Sequence, residues 1–527
     1  MRTTRIHPRE TIELVVLGLL TAVLVVAAAS RRDFIGDGVR HLPAALSGSL
    51  RFGEARWVMF PPLLFALLRP FAAVGLIDRV ESAIQPVLWL SVGCGVFFIV
   101  RVDKWLRAEC EDPARRAAAL LLAGSCAPFL GLFSDIAEVQ VAAAMAVAGL
   151  AYARAHPDGD RGAIVAIAAV AAATLIYEGT ILALGMLPLV AARQTLLHRH
   201  VLAALGTAGA IVIVVIISAQ VAAGIPLDLA VAATITGERN PLARSFMTQP
   251  SVAKYAVALL AGPPQGIVAL RDFSGVSALV TGVRSSDAGT IALFAANILR
   301  LVLGLAVAGL LLAATVRYRD WRVLFAAAVI LILPLLRNQQ YAYVKFFALW
   351  PVPVAVAALR CRARTITVMA SLVLISNGWL LAEEIQRGRR LHATIERAYR
   401  AVTPTTCWMT SGWAPPMWYL WPGTTAPVLG VLATGSDPRA QATALTRSLR
   451  ACFCDSTAVW TDTTAGDASV VASLADHFDY RVVDLTTLLL DEPAATTPAL
   501  ARIQTYPDAE RQRICRVMAS VGLPPGR

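Results

Sequence analysis

The stretch that decides the fold is residues 11–41, TIELVVLGLLTAVLVVAAASRRDFIGDGVRH. Its apolar part, 11–29, is long enough to cross a bilayer as a helix, which takes about 20 apolar residues. The charged run 31–33 follows instead of a small-residue cleavage site, so we interpret this span as a retained membrane helix rather than a signal peptide. A polar cluster, residues 36–41 (GDGVRH), comes directly afterwards. Its position indicates a site held at the membrane surface.

The composition extends this interpretation to most of the chain. The 527 residues are 57% hydrophobic and only 16% charged, with a mean hydropathy of +0.63. A soluble protein averages about 25% charged residues. Apolar runs of membrane length recur from residue 11 to about residue 382. These features predict a polytopic α-helical membrane protein that has membrane lipids as its surroundings.

The net charge of +12 comes from basic residues in short loops, not from a nucleic-acid-binding surface. Short loops rich in Lys and Arg stay on the cytoplasmic side of a membrane. With the N-terminus placed inside, all five of these loops fall inside as well: 101–116, 154–161, 193–199, 317–322 and 360–364.

This loop pattern predicts about eleven transmembrane helices in a domain covering residues 1–382. We expect residues 30–82 to form the first external loop, with a juxtamembrane helix over 61–77, and we expect 252–270 to form a second surface or re-entrant helix. The predicted spans are 11–29, 83–100, 115–133, 139–153, 162–177, 178–193, 201–223, 290–316, 322–337, 344–359 and 365–382.

The tail, 383–527, is polar and is predicted to be a small external α/β domain, on the periplasmic or extracellular side of a plasma (bacterial inner) membrane. Predicted strands are 406–410, 428–433, 458–461 and 480–485; predicted helices are 439–451, 468–477 and 508–521. Four cysteines lie in the tail, and an oxidising compartment would allow one or two disulfides whose pairing stays open: Cys407, Cys452, Cys454 and Cys515. The other four, Cys94, Cys110, Cys126 and Cys361, are expected to be free.

Asp37 is the leading candidate for chemistry. A carboxylate at the external face can act as a general base on a hydroxyl or ligate a divalent metal, although Gly-Asp-Gly also suits an ordinary turn. Arg40 is a candidate phosphate ligand, with a lipid head-group contact or a pair with Asp37 as alternatives. His41 is interpreted as a hydrogen-bond partner, because the seven histidines show no metal-ligand spacing along the chain.

Acidic residues recur at two other predicted external turns. Asp135 and Glu138 lie between the third and fourth spans, where an i, i+3 spacing shares one helix face, and a solvated turn is the alternative. Glu178 lies between two apolar spans with almost no loop. It either serves a site or a wet cavity, or belongs to a short hairpin in the head groups.

A basic and aromatic turn, residues 337–345 (RNQQYAYVK), is also predicted to be external. Arg337 and Lys345 run against the positive-inside trend, and with Tyr343 beside them they suit a lipid-linked phosphate. Aromatic anchoring with snorkelling cations is the alternative.

The N-terminal arrangement resembles the GT-C superfamily of integral-membrane glycosyltransferases. Gly36-Asp37-Gly38 matches the acidic position of the first external loop, and residues 61–64 (PPLL) match the Pro-Pro helix, although Phe60 replaces the usual basic or His residue. Asp135 and Glu138 resemble the second acidic motif. The resemblance covers about residues 10–200.

The resemblance implies a hexosyl- or pentosyltransferase that takes a sugar from a polyprenyl-phosphate carrier and passes it to a hydroxyl of a glycan, lipid or protein at the external face. Asp37 would be the base, and Arg337 and Lys345, or Arg40, would stabilise the leaving phosphate, with inversion at the anomeric carbon. No cofactor is required by the motifs, and a divalent metal (Mg²⁺ or Mn²⁺) through Asp37 with Asp135 or Glu138 stays open. A transporter or flippase and a polysaccharide polymerase of envelope glycolipids are the alternatives, and neither the sugar, the acceptor nor the oligomeric state follows from the sequence.

Overall fold

The computed structural model describes residues 8–31, 42, 58–77, 80–136, 138–157, 159–222, 227–236, 262–269, 288–336, 347–400, 406–410, 428–430, 458–463, 502–505 and 512. Helices account for most of them. We number the helices α1 Pro8–Ser30, α2 Phe60–Ala73, α3 Val80–Glu109, α4 Pro113–Ser125, α5 Ala127–Phe133, α6 Val139–Ala155, α7 Asp160–Ile176, α8 Leu187–Val190, α9 Arg193–Leu196, α10 Arg199–Ala222, α11 Leu227–Thr236, α12 Ala288–Arg317, α13 Trp321–Leu336, α14 Pro351–Ala358 and α15 Ala363–Arg400. Two 3₁₀ helices, Glu178–Met186 and Phe347–Leu349, precede α8 and α14.

Each of the eleven predicted spans contains helical structure, and the chain is a multi-pass membrane protein. Five helices, α1, α3, α10, α12 and α15, are long and apolar enough to cross a bilayer, and the bent pair α4–α5 makes six if it is one span. The others are shorter apolar helices. Eleven crossings therefore stay a prediction.

Helix α4 is the centre of the bundle. It packs against α1, α14 and α15, and every residue from Ala117 to Ser125 is buried. The helix stops at Cys126, whose ψ of 140° is extended, and α5 resumes at an angle of 59°. Pro128 explains the break, because it has no N–H to continue the helical ladder.

Asn377 of α15 forms hydrogen bonds at this break. Its amide nitrogen donates to the carbonyls of Ser125, at 2.7 Å, and of Ile267, at 2.8 Å, while its oxygen accepts from Ala269 N–H at 2.9 Å. The Ile267 carbonyl also accepts from Ala127 N–H. The described part of the predicted surface or re-entrant helix, residues 262–269, is therefore inserted in the bundle, with Ile267 1% exposed.

Ion pairs between the predicted cytoplasmic loops collect at one end of the bundle. Each pair joins two segments that are distant in sequence. They are Arg107 and Arg116 with Glu13, at 2.6 and 2.5 Å, Arg154 with Glu109, at 2.6 Å, His198 with Asp160, at 2.5 Å, and Arg360 with Asp320, at 2.8 Å. We call this end, defined by these residues, the basic face. The contacts place the loops together, as the charge pattern predicted.

The other end of α1 defines the opposite face, which holds Arg31, residues 134–136, Glu138, residues 177–178 and Arg389. The 18 positions from Glu13 to Arg31 correspond to about 27 Å of helix, close to the roughly 30 Å hydrocarbon thickness of a bilayer. Arg389 of α15 donates to the Ser30 carbonyl at 2.8 Å, so α15 reaches this face too.

Helix α2 begins at the opposite face, because Met59 N–H donates to the Leu175 carbonyl near the end of α7. Its 14 residues span about 21 Å, too short to cross a bilayer. Phe60, Leu64 and Leu68 are buried along one side. These features agree with the predicted juxtamembrane helix.

The last helix passes through the predicted domain boundary at 382/383. Helix α15 has 38 residues and ends at Arg400. The apolar residues stop near 382, but helix-forming residues such as Glu383 and Glu384 follow them, so the helix continues through the predicted boundary. The drop in hydropathy near residue 382 therefore does not coincide with the end of the helix.

Four strands in the tail form one sheet in the order β2-β1-β3-β4. The strands are β1 Thr406–Thr410, β2 Val428–Gly430, β3 Ala458–Thr463 and β4 Arg502–Thr505. Strand β1 is parallel to β2 and β3, and β3 is antiparallel to β4. The first three lie where they were predicted, whereas β4 was not predicted. The predicted strand 480–485 and the predicted helices of the tail lie outside the described residues, apart from residue 512, so an α/β domain stays a prediction.

Candidate functional site

A buried ion pair lies at the opposite face. The Arg31 Nη1 atom is 3.1 Å from Asp135 Oδ2, and the two side chains are only 4% and 7% exposed. Arg31 is the residue after the end of α1, and Asp135 lies in the turn after α5. Burying two charges is costly unless they are paired, so Arg31 and Asp135 must keep this contact in the folded protein.

The turn that carries Asp135 is held by its own neighbours. Asp135 Oδ1 accepts from Ile136 N–H at 2.7 Å. Gln140 Nε2 donates to the Leu132 carbonyl at 2.6 Å and to the Asp135 carbonyl at 3.0 Å. Ser134 Oγ accepts from Arg31 Nη2 at 3.5 Å and donates to the Leu130 carbonyl. The carboxylate is therefore fixed by the backbone and by Arg31 together.

Glu138 adds a second buried carboxylate to this face. It precedes α6 and is 0% exposed. The alternative that residues 135–138 form a solvated turn is wrong, because Asp135 and Ile136 are buried as well. Buried carboxylates beside a membrane surface are typical of functional positions.

A narrow depression, with no internal space for a water molecule, starts at Val139, the residue after Glu138. It is lined by the start of α6, the start of the first 3₁₀ helix and the second 3₁₀ helix, with Val139, Ala143, Tyr177, Gly179, Thr180, Ala348 and Leu349 as lining residues. Tyr177 is 4% exposed, and Glu178 beside it is half-buried. The depression therefore lies between the predicted acidic turns and the segment that follows the predicted basic turn.

An aromatic cluster lies beneath the ion pair. The rings of Phe98, Phe129 and Phe133 have centroids 5.2 to 6.0 Å apart, and all three are fully buried. Gly95 lets α3 approach closely, since a Cβ there would lie 2.8 Å from the Phe133 Cβ. This packed layer gives the turn at Asp135 a rigid support.

Six of the predicted site residues lie outside the described residues: Asp37, Arg40, His41, Arg337, Tyr343 and Lys345. Along the sequence, both segments adjoin described residues. Segment 32–41 lies between Arg31 and the buried Leu42, and segment 337–346 lies between Leu336 and Phe347. Of the predicted site residues, the structure describes Asp135 and Glu138.

Sequence reasoning missed the partner of Asp135. Arg31 binds Asp135, which is 104 positions away, and no local pattern connects the two. Arg389 was also missed, because it follows the last apolar run and carries no motif.

The fold also forms a group of possible metal ligands that the sequence analysis did not single out. The folded chain brings together Asp160, His198 and His200, at the basic face. The histidines are two positions apart, but the carboxylate is 38 positions away, so sequence spacing could not show the group. The four cysteines predicted to be free, Cys94, Cys110, Cys126 and Cys361, are free.

The fold and site define a multi-pass helical membrane protein with a buried arginine–carboxylate pair at the face opposite its basic loops. No protein-family model matches the chain, and no curated protein matches it. Among solved structures, ArnT from Cupriavidus metallidurans is similar in the apo state, with 15% identity and a TM-score of 0.39, and bound to undecaprenyl phosphate, with 16% identity and a TM-score of 0.40. Both comparisons cover 85% of this chain and 92% of the other.

Proposed function

We propose that the protein is a membrane glycosyltransferase that moves a sugar from a polyprenyl-phosphate carrier to a hydroxyl acceptor at the external face, with inversion. The observation that supports this most directly is the buried Arg31–Asp135 pair, with Glu138 nearby, at the face where segments 32–41 and 337–346 attach. Transfer from a lipid phosphate needs a base and fixed cations together at the membrane surface.

Asp37 is proposed as the base. It is six residues after Arg31 and five before the buried Leu42. The few residues that separate Asp37 from Arg31 along the chain support a role for it beside the buried Arg31–Asp135 pair. There its carboxylate would accept the acceptor's proton as the hydroxyl oxygen attacks the anomeric carbon, and the polyprenyl phosphate would leave with the bonding electron pair.

Arg337 and Lys345 are proposed to stabilise the phosphate as it leaves. Lys345 is two residues before Phe347, and the next residues, Ala348 and Leu349, line the depression beside Tyr177. This closeness along the sequence supports a role for the lysine beside the depression. Arg40 remains the other candidate for this role.

Asp135 is proposed to position the site rather than to bind a metal. Its carboxylate is engaged by Arg31 and by the Ile136 N–H, so a cation there would have to displace a buried arginine. Glu138 is proposed as a contact for substrate hydroxyls. The proposed reaction contains no step through a metal ion.

The placement of buried charge favours an enzyme over a transporter. Among the described residues, the buried charged side chains lie at or near helix ends: Glu13, Arg31, Asp103, Asp135, Glu138 and Asp320. A transport path would need such groups along the middle of the spans. A polysaccharide polymerase remains the alternative enzyme.

Substitution of Asp37 tests the proposal. Asp37→Asn keeps the shape but removes the base, so transfer from polyprenyl-phosphate sugars by purified protein should fall about 100-fold or more, with normal expression and insertion. Asp112→Asn is the matched control, because Asp112 is an exposed carboxylate that caps α4 at the basic face. Transfer by Asp37→Asn at the parental rate would exclude Asp37 as the base.

A further inference from the structure

A group of metal-ligating side chains lies on the basic face, far from the Arg31–Asp135 pair. Asp160 is the first residue of α7, and His198 and His200 flank Arg199, the first residue of α10. Their ligand atoms all lie within 4.8 Å of one another. The closest contact is the 2.5 Å hydrogen bond between His198 Nδ1 and Asp160 Oδ2, and the two imidazole rings have centroids 5.2 Å apart.

The backbone under this group is fixed by two helices that pack side by side. Helix α7 contacts α10 along the bundle. Gly159, with φ of +115°, turns the chain into α7, a conformation that favours glycine. The His198 carbonyl accepts from Val201 and Leu202 N–H, both at 3.0 Å, so His198 begins the first turn of α10. The backbone thus holds the three potential ligand side chains near one another without the help of an ion.

We propose that Asp160, His198 and His200 bind a late first-row divalent transition-metal ion, of which Zn²⁺ is the representative. Two imidazoles and one carboxylate are a normal zinc ligand set, with bonds of about 2.0–2.2 Å and water in the fourth position. Tetrahedral donors at that bond length lie about 3.3 Å apart. The Asp160–His198 pair therefore opens by about 1 Å and the widest pair closes by about 1.5 Å, movements that a half-exposed imidazole makes by side-chain rotation.

The surrounding charge selects the class of ion. Arg161 follows Asp160, and Arg199 separates the two histidines. The N-termini of α7 and α10 also carry partial positive charge. Attraction to a single carboxylate cannot hold a hard cation in these surroundings, and Mg²⁺ or Ca²⁺ would need more oxygen ligands. Affinity must come from coordination by imidazole, which suits zinc, copper and nickel.

A bound ion would tie two loops of the basic face together. Asp160 begins α7, directly after the turn from α6, and the histidines lie at the start of α10, directly after α9. The link crosses 38 positions and replaces one hydrogen bond by three coordinate bonds. The ion is a structural clamp for these helices and takes no part in chemistry at the opposite face.

Metal titration of the full-length protein tests the proposal. Protein purified without a histidine tag and stripped with chelator is titrated with Zn²⁺ by calorimetry and with Co²⁺ by visible absorption. We expect one ion per chain, with the d–d bands of a tetrahedral or five-coordinate site for Co²⁺. His198→Ala and His200→Ala should each weaken binding by about 10-fold or more, since even an outer-shell change costs 10- to 100-fold.

His156→Ala is the matched control. His156 is also an exposed histidine on the basic face, but its Nδ1 lies 3.0 Å from the Tyr152 carbonyl and its ring stacks on Tyr152. It should bind Zn²⁺ like the parent, and Zn²⁺ should raise the unfolding temperature of both. Absence of stoichiometric binding, or equal binding by parent and His198→Ala/His200→Ala, would show that the group is only an Asp–His hydrogen bond. Removal of zinc should leave glycosyl transfer intact, so this test is independent of the proposed reaction.

Discussion

At the residue scale, the Arg31–Asp135 pair is the most consequential contact of the described structure. Both side chains are buried, and the pair joins the end of α1 to the turn after α5. Removing one member of a buried pair is costly, since the remaining charge loses its counter-charge without regaining water. An exposed pair contributes little, because water screens both charges.

Arg31→Ala should therefore destabilise the protein by about 3–5 kcal/mol. Thermal unfolding in detergent or nanodiscs measures the effect. Arg115→Ala is the control, because Arg115 pairs with Asp112 at a similar distance, 3.3 Å, but both side chains are about half exposed. The unfolding midpoint of Arg115→Ala should therefore barely change. Equal midpoints for the two variants would mean that the buried pair does not support the turn. The double variant Arg31→Ala/Asp135→Ala should be less destabilised than the sum of the single variants.

Arg337 carries the second prediction at this scale. A hydrogen bond to a charged group contributes roughly 1.5–3 kcal/mol, so Arg337→Ala should weaken use of the lipid-phosphate donor about 10- to 100-fold. Arg337→Lys should recover part of the loss, because an ammonium cannot form a bidentate fork. Lys345→Ala should act in the same direction but less strongly. Titration of the donor at a fixed acceptor concentration measures these effects. If both alanine variants gave the same titration curve as the parent, Arg337 and Lys345 would be membrane anchors instead.

At the element scale, the broken helix α4–α5 positions the turn that carries Asp135. The break at Cys126 is held by Asn377, which connects α15, the end of α4 and segment 262–269 through three hydrogen bonds. Asn377 is 3% exposed, so the backbone groups that it satisfies have no water to replace it.

Asn377→Leu should cost about 2–4 kcal/mol, since it removes three hydrogen bonds and leaves buried carbonyls without that donor. Thr367→Val on the same helix is the control, because Thr367 is exposed and bonds only within its own turn, to the Ala363 carbonyl. Thermal unfolding of the two variants measures the difference in stability. A midpoint for Asn377→Leu that matches Thr367→Val would show that the break is held by packing alone.

The sequence predicted what depends on local pattern. Apolar length and loop charge located the spans, and the β-branched residues near Val428 and Val459 located two strands. Contacts between distant positions could not be predicted: Arg31 with Asp135, Asn377 with Ser125, and Asp160 with His198 join segments 38 to 252 positions apart. The turn at Asp135 was a predicted site, but its burial depends on those distant partners.

At the scale of the whole molecule, the basic face and the opposite face lie at the two ends of the helical bundle and carry different groups. Ion pairs at the basic face join the N-terminal helix to residues 107 and 116, and join other predicted cytoplasmic loops to one another. The opposite face holds the Arg31–Asp135 pair, and the segment that carries Asp37 begins directly after Arg31 in the sequence. The proposed reaction requires that the opposite face be external, where a lipid-linked donor and its acceptor meet.

Cysteine labelling in intact cells tests this claim most directly. One variant keeps Cys110 alone, in the turn between α3 and α4 at the basic face, and a second has Leu76→Cys as its only cysteine, at an exposed position after α2. Cys361 is a poor reporter, since burial raises the pKa of its thiol and leaves less of the reactive thiolate at neutral pH. A membrane-impermeant maleimide should label Leu76→Cys in intact cells and Cys110 only after permeabilisation. Labelling of Cys110 from outside, or of both positions from the same side, would contradict the account.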